Sequence, residues 1–208
     1  MFSWISIVSI AALIGFLAGR YRVYQLQNQG EALVSRAIRQ SCAGPNWHLL
    51  NNITLPTTDG TTQIDHILVS RFGIFVIETK DYSGWIFGDA KSSHWTQVLY
   101  RRKFKFQNPL QQNYKHIKAV QALLNFLPQD QIEGAVLVVG DAEFKSNRPK
   151  GVYTLPEFLA ALGKLGDEVI SENRLQFCIG RLECQRLALT QKTDVEHRQH
   201  LQRKFGIE

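Results

Sequence analysis

Two apolar runs, Gln63 to Val69 and Gly73 to Thr79, are separated only by Ser70, Arg71 and Phe72, and that spacing constrains the fold more than any other feature of the chain. Short runs rich in Ile and Val on either side of so brief a connection pair as an antiparallel hairpin, here through a two-residue loop at Arg71 and Phe72. Ser70 then faces Gly73, Val69 faces Ile74, Ile67 faces Val76 and Asp65 faces Glu78, and the next same-face step brings Lys80 near Gln63. One face is therefore apolar through Ile67, Val69, Ile74 and Val76, and two carboxylates and an ammonium interrupt it at its end.

Directly opposed side chains hold their Cβ atoms about 4.5 to 5.5 Å apart. Two carboxylates at that distance repel unless a proton or a cation lies between them. A divalent cation fits the gap, and hard oxygen ligands favour Mg²⁺ or Mn²⁺ over the metals that prefer His and Cys. Such an ion polarises a phosphoryl oxygen and acidifies its bound water, with Lys80 placed to orient that water or to meet charge developing on a phosphate. A solvated salt-bridge patch on a half-exposed hairpin accounts for the same three residues, and pattern alone leaves that reading slightly ahead. The apolar company of Asp65, Glu78 and Lys80 argues the other way, because charge on a buried face is costly unless it has a task. His66 points to the opposite face in this register, with Leu68 and Phe75, as a core residue and not a catalytic one.

A chain of 208 residues has room for one well-packed domain and an appendage. The appendage is expected at the start: Phe2 to Ala18 carries no charge, and a helix through Gly19 spans roughly 26 Å, enough for a marginal transmembrane anchor. A cleaved signal peptide is the poorer reading, since no Lys or Arg precedes the apolar run and no A-x-A site follows it. Arg20 and Arg22 place the rest of the chain in the cytoplasm; Gly15 and Gly19 form a GxxxG that suits a homodimer of anchors, but small residues are common in membrane helices and the plainer reading is the better one. The three cysteines form no CxxC pair, which argues against structural zinc and suits a reduced compartment.

Further along, a helix is expected over 31–40, with Glu31 on the same side as Val34 and Ile38, where spacing alone favours an acidic residue drawn to the first turn by the helix dipole. A strand follows at Trp47 to Leu55 and a loop at Pro56 to Thr62. Beyond the hairpin come a second hairpin from Trp85 to Phe106, a helix from Pro109 to about Phe126, a strand from Ala135 to Val139 and a last basic helix capped by Thr193 and Glu196. Strands in a meander between helices give an α/β sandwich around a central mixed sheet. Arg101, Lys103 and Lys105 fall on one face of the second hairpin between Tyr100, Phe104 and Phe106, a basic stripe that suits a phosphate backbone or, equally, a solvated edge strand. The net charge of +6 favours a polyanionic partner, nucleic acid or acidic lipid. No GxSxG, P-loop, HExxH or EF-hand pattern is present.

The ordered set Gly30-Glu31, Gln63-Ile-Asp65-His, Gly73-Ile-Phe-Val-Ile-Glu78-Thr-Lys80, Gly84, Trp95 and Asn108-Pro109-x-x-Gln112 resembles the nuclease-related domain family of the PD-(D/E)XK nuclease superfamily, from about Gly30 to Val139. The resemblance implies a restriction-endonuclease-like core with a central mixed β-sheet flanked by helices. It implies Asp65, Glu78 and the backbone carbonyl of Thr79 as ligands of Mg²⁺ or Mn²⁺, Glu31 reaching the metal through water, Lys80 as the catalytic lysine, and Gln112 as a supporting catalytic residue. Ile64 stands where the superfamily's name motif has Pro. The expected organisation is an anchor over 1–19, a linker or helix extension over 20–29, the nuclease-related domain over 30–145 and a C-terminal α/β extension over 146–208. The expected activity is that of a membrane-anchored, metal-dependent nuclease acting on DNA; a non-catalytic nucleic-acid-binding module and a lipid-bound scaffold are the rivals.

Overall fold

A computed structural model of the chain describes residues 29–58 and 60–187, so the expected anchor and the expected terminal basic helix lie outside the described residues. No helix among the described residues is long and apolar enough to cross a membrane. A first helix, α1, covers 29–41. It leads into β1 (Trp47–Thr57), β2 (Gly60–Ser70) and β3 (Gly73–Asp81), then β4 (Gly84–Phe87), β5 (His94–Leu99) and β6 (Arg102–Gln107). Helix α2 (Pro109–Leu123) and a 3₁₀ turn at Gln129–Gln131 precede β7 (Ile132–Val139) and β8 (Ala142–Phe144). The described part closes with β9 (Val152–Thr154), α3 (Leu155–Leu162) and α4 (Glu172–Gln185).

Five strands form a mixed sheet in the order β1-β2-β3-β7-β9, antiparallel up to β3 and parallel from β3 to β9. The hairpin register is the one its short loop dictates: Ser70 opposes Gly73, Val69 opposes Ile74 and Ile67 opposes Val76. Residues 73–79 of β3 are all buried, as befits a central strand covered on both faces. On one face Ile67, Val69, Ile74 and Val76 pack against Val120 and Leu124 of α2 and its C-cap, and against Leu175, Cys178 and Leu182 of α4. On the other, Leu68, Phe75 and Ile77 pack against Val34 and Ile38 of α1 and Phe158 and Leu162 of α3. The segment after residue 145 is thus built into the sheet and both its coverings, with β9 pairing directly to β7. Gly134 permits the close seat of α2, since a Cβ there would lie 2.5 Å from Ile117 Cδ1.

The expected loop at 56–62 is mostly strand. Pro56 is tolerated because β1 is an edge of the sheet and needs no donor on its outer side, and the threonines beyond it extend β2 back to Gly60.

The other four strands form a second sheet, β6-β5-β4-β8. Its inner face, through Ile86 and Trp95, packs on Val136 and Val138 of the first sheet. Asn108 locks the second sheet to α2: its carbonyl oxygen accepts from Leu110 N as the helix N-cap, and its amide donates to Asp89 O at 3.1 Å and Ser92 O at 2.7 Å.

Candidate active site

The charged end of the hairpin depends on a break in strand alternation. Pairing of β1 with β2 passes from Asn51 opposite His66 to Ile53 opposite Ile64, leaving out Asn52 and Asp65. Asn52 has φ 52°, a left-handed conformation that Asn tolerates better than most residues. The alternation shifts by one there, for Leu50 and Ile53, and likewise Ile67 and Ile64, share one core cluster although each pair is three residues apart. Pairing of β2 with β3 stops at His66 opposite Ile77, one step short of Asp65. Instead of a ladder bond, the backbone N–H of Thr79 donates to Asp65 Oδ2 at 2.7 Å. In a strand the N–H and C=O of one residue face the same neighbour, so the Thr79 carbonyl is aimed at the same edge as Asp65.

Glu78 sits beside Val136 of β7, and Lys80 beside Val138. Glu78 is 1% exposed and both its oxygens are engaged. Lys80 Nζ lies 2.6 Å from Oε1, and His116 Nε2 lies 3.1 Å from Oε2. A carboxylate can only accept, so Nε2 of His116 carries the hydrogen; in the neutral ring Nδ1 then accepts from the Thr62 hydroxyl, 2.7 Å away. Burial pushes Glu78 toward the neutral form, but Lys80 and His116 outweigh it and hold the carboxyl below its ordinary range. Burial likewise works against the Lys80 charge, and Glu78 more than restores it, leaving the ammonium above its usual value.

Asp65 behaves in the opposite way. Burial, then the charges of Glu78 and Glu31, push it well above the carboxylate range against the Thr79 N–H bond and Lys80. Glu31 is raised as well, by burial and by Glu78, with Lys80 opposing. Helix α1 can bring Glu31 here because Gly30 has no side chain: a Cβ at residue 30 would meet Asp81 Cβ at 2.8 Å and Val139 Cγ2 at 3.1 Å.

Three carboxylates thus share one ammonium, a surplus of negative charge that a divalent cation would balance, acting against the upward shifts of Asp65 and Glu31. Among the described residues no three His, Cys, Asp or Glu side chains are spaced to hold an ion by themselves. Asp65, held by the Thr79 N–H, and Glu78, one residue before Thr79, are the two carboxylates flanking that backbone, a donor type that matches the habit of Mg²⁺, which keeps several waters and takes one or two protein carboxylates. Asp65, Glu78 and the Thr79 carbonyl are donors of the kind such an ion takes, although both Glu78 oxygens are held here by Lys80 and His116.

Gln112 lies on α2 one turn before His116, half-buried, and no hydrogen bond joins its side chain to Glu78 or Lys80. His116, which does touch Glu78, is absent from the expected set. Its signal was the buried stripe of α2, Pro109, Asn113, His116 and Val120, in which two polar residues occupy core-facing positions. Asn113 is accounted for by donating to Val76 O at 3.0 Å and Ala135 O at 3.2 Å, which leaves His116 for the site. His66 faces the other core cluster and bonds Asn51, so it takes no part. Of the basic residues, Lys103 and Lys105 lie exposed on β6, whereas Arg101 falls in the turn before it because Tyr100, at φ 54°, ends the strand.

A family model described as nuclease-related domain matches residues 26–139, which include every carboxylate above as well as Lys80 and His116. Over 96 residues the chain is also 49% identical to an uncharacterized protein of Bacillus anthracis, a match covering 46% of this chain and 45% of that protein. The chain is therefore aligned with less than half the length of that relative.

Proposed function

The chain belongs to the nuclease-related domain family, within the PD-(D/E)XK-like nuclease superfamily, and on that premise we propose that it is a metal-dependent nuclease that hydrolyses phosphodiester bonds in DNA. The observation that carries this reading is the buried contact of Lys80 Nζ with Glu78 Oε1 at 2.6 Å, on a strand whose next amide is held by Asp65. A buried ion pair of this kind is a poor source of stability; its retention beside two further carboxylates is accounted for by chemistry.

Asp65, Glu78 and the Thr79 carbonyl would hold Mg²⁺ or Mn²⁺. Once bound, the ion supplies Lewis-acid polarisation of the phosphoryl oxygen and a lowered pKa for water. Lys80 donates from Nζ toward the attacking water or a non-bridging phosphate oxygen, where negative charge grows as the bond breaks. His116, fixed by Thr62, keeps the Glu78 carboxylate in one orientation while Lys80 turns to substrate. Glu31 offers a further acceptor through water, and Gln112 a donor one helical turn from His116.

Full-length protein incubated with single- and double-stranded DNA and RNA, with Mg²⁺ or Mn²⁺, should cut in a metal-dependent manner and lose cutting in Asp65→Ala and Lys80→Ala. Metal-dependent cutting that survives both substitutions would refute the assignment. Binding without cutting in any metal would establish the non-catalytic module instead. The uncharged run from Phe2 to Ala18, followed by Arg20 and Arg22, supports a single-pass anchor with this domain on the cytoplasmic side. Recovery of full-length protein in the soluble fraction after membrane sedimentation would overturn that part.

A further inference from the structure

We propose that the outer face of the four-stranded sheet is a binding platform for a single-stranded nucleic acid, with bases stacking on Trp85 and Phe87 and phosphates met by Lys103, Lys105 and Lys145. The proposal rests on the nuclease reading for its substrate class and adds the strandedness and the place of binding.

Alternation along β4 gives the first observation. Ile86 is 1% exposed and packs inward, while Trp85 and Phe87 on either side of it are 50% and 39% exposed. Register carries the same outer face across the sheet: Trp85 opposes Val98, which opposes Lys103, and Phe87 opposes Thr96, which opposes Lys105. On the other flank Lys145 holds its ammonium 5.1 Å from the centre of the Trp85 ring and 2.5 Å from Glu143 Oε1. Glu143, opposite Trp85 on β8, is the one acidic residue among these, and Lys145 offsets it.

Of the eight large apolar side chains exposed among the described residues, Trp85 and Phe87 stand two apart on this outer face of β4, whereas Phe104, opposite Gln97 and so on the side of Ile86, belongs to the inner face. Scattered exposed apolar residues need no explanation, but a cluster does. Edge protection explains lysines on β6, which is an edge strand. It cannot explain Trp85 and Phe87, because β4 is an interior strand between β5 and β8. Flat rings among lysines on an open sheet match what a single strand offers, unstacked bases on a charged backbone; in a duplex the base faces are hidden. The platform is also tied closely to the charged strand: Trp85 is five residues after Lys80, which limits their separation to about 18 Å even for a fully extended chain.

The test measures equilibrium binding of full-length Asp65→Ala protein, in EDTA, to a fluorescent single-stranded DNA oligonucleotide and to a duplex of the same length. Stacking losses of this type run from several-fold to about a hundredfold per base. Trp85→Ala with Phe87→Ala should therefore weaken single-strand binding by about tenfold or more and leave duplex binding nearly unchanged. Lys103→Ala with Lys105→Ala should weaken both and flatten the salt dependence, by about 0.7 in log-log slope for each phosphate of the single strand that a lysine no longer neutralises. Unchanged single-strand binding in the aromatic variant, or an equal loss for duplex, overturns the proposal. So does a protein that ignores both oligonucleotides but binds phosphatidylglycerol vesicles through Trp85, which would make the face a lipid contact. Because no turnover is needed, an inactive enzyme that shows the single-strand effect refutes only the nuclease reading, and an active one without the effect refutes only the platform.

Discussion

The five-stranded sheet is covered on both faces, by α2 and α4 on one side and α1 and α3 on the other, whereas among the described residues the four-stranded sheet buries only the face that carries Ile86 and Trp95. In the first sheet charge is the anomaly, and Glu78, Lys80 and Asp65 stand out against Ile and Val. In the second the anomaly is apolar surface, and Trp85 and Phe87 stand out against lysines. Each sheet departs from its own environment at one place, and the two departures call for different tests: removing charge from the first and removing rings from the second.

The largest effect is expected at the buried pair. Lys80→Met leaves the Glu78 carboxylate in an interior where, among the described residues, His116 alone still bonds it, and breaking such a pair costs about 3 to 5 kcal/mol. The double variant Lys80→Met with Glu78→Gln should recover most of that stability, since a neutral amide can still accept from His116, yet neither variant should cut nucleic acid. Urea unfolding of the single and double variants checks this. A single variant as stable as the parent would mean that Glu78 is not buried with Lys80 as its main partner.

The second effect sets two tryptophans against each other. Trp95 is 1% exposed, lies edge-on to Phe144 with ring centres 5.7 Å apart, and donates from Nε1 to Asp89 O at 2.8 Å. Trp95→Ala should cost about 3 to 5 kcal/mol, and Trp85→Ala within about 0.5 kcal/mol of nothing, measured as shifts in the urea midpoint. Equal costs would mean that the outer face of the four-stranded sheet is covered, and the contrast between the two sheets would fail.

These contrasts are only partly written in the linear pattern. The β2–β3 register follows from counting, because a two-residue loop and a period of two leave no freedom once one face is apolar. The face of α1 follows from helical spacing, through Val34 and Ile38. What counting misses is non-local. The place of Asp65 depends on the left-handed Asn52 across from it, a backbone choice that no hydrophobic pattern displays. His116 meets Glu78 from 38 positions away, and nothing short of the folded α2 brings them together. The openness of β4 depends on which strands flank it, and β8 joins it from 55 or more positions later in the chain. Arg101 leaves the expected strand face because alternation stops one residue sooner than the pattern suggests, at the turn begun by Tyr100.

The smallest of the three effects tests the uncharged side of the hairpin. His66 is 1% exposed, bonds Asn51 through Nδ1 at 2.8 Å and finds no partner for Nε2 among the described residues. Burial first, with Arg39 adding to it against Glu78, lowers its pKa from 6.5 to about 4. The folded state therefore keeps the ring neutral where the unfolded state would protonate it, so stability rises with pH from about 4 to 6.5 and is lost as pH falls through that window. The gap corresponds to about 3 kcal/mol in full. His66→Gln removes the titration, so the stability difference between parent and variant should shift in the variant's favour by up to that amount between pH 7 and pH 4. Glu78, held below its ordinary range, loses its contribution at still lower pH in both proteins and cancels from the difference. Parallel pH profiles for the two proteins would show that His66 is not buried neutral, and the division of the hairpin into a charged face and an uncharged one would have to be redrawn.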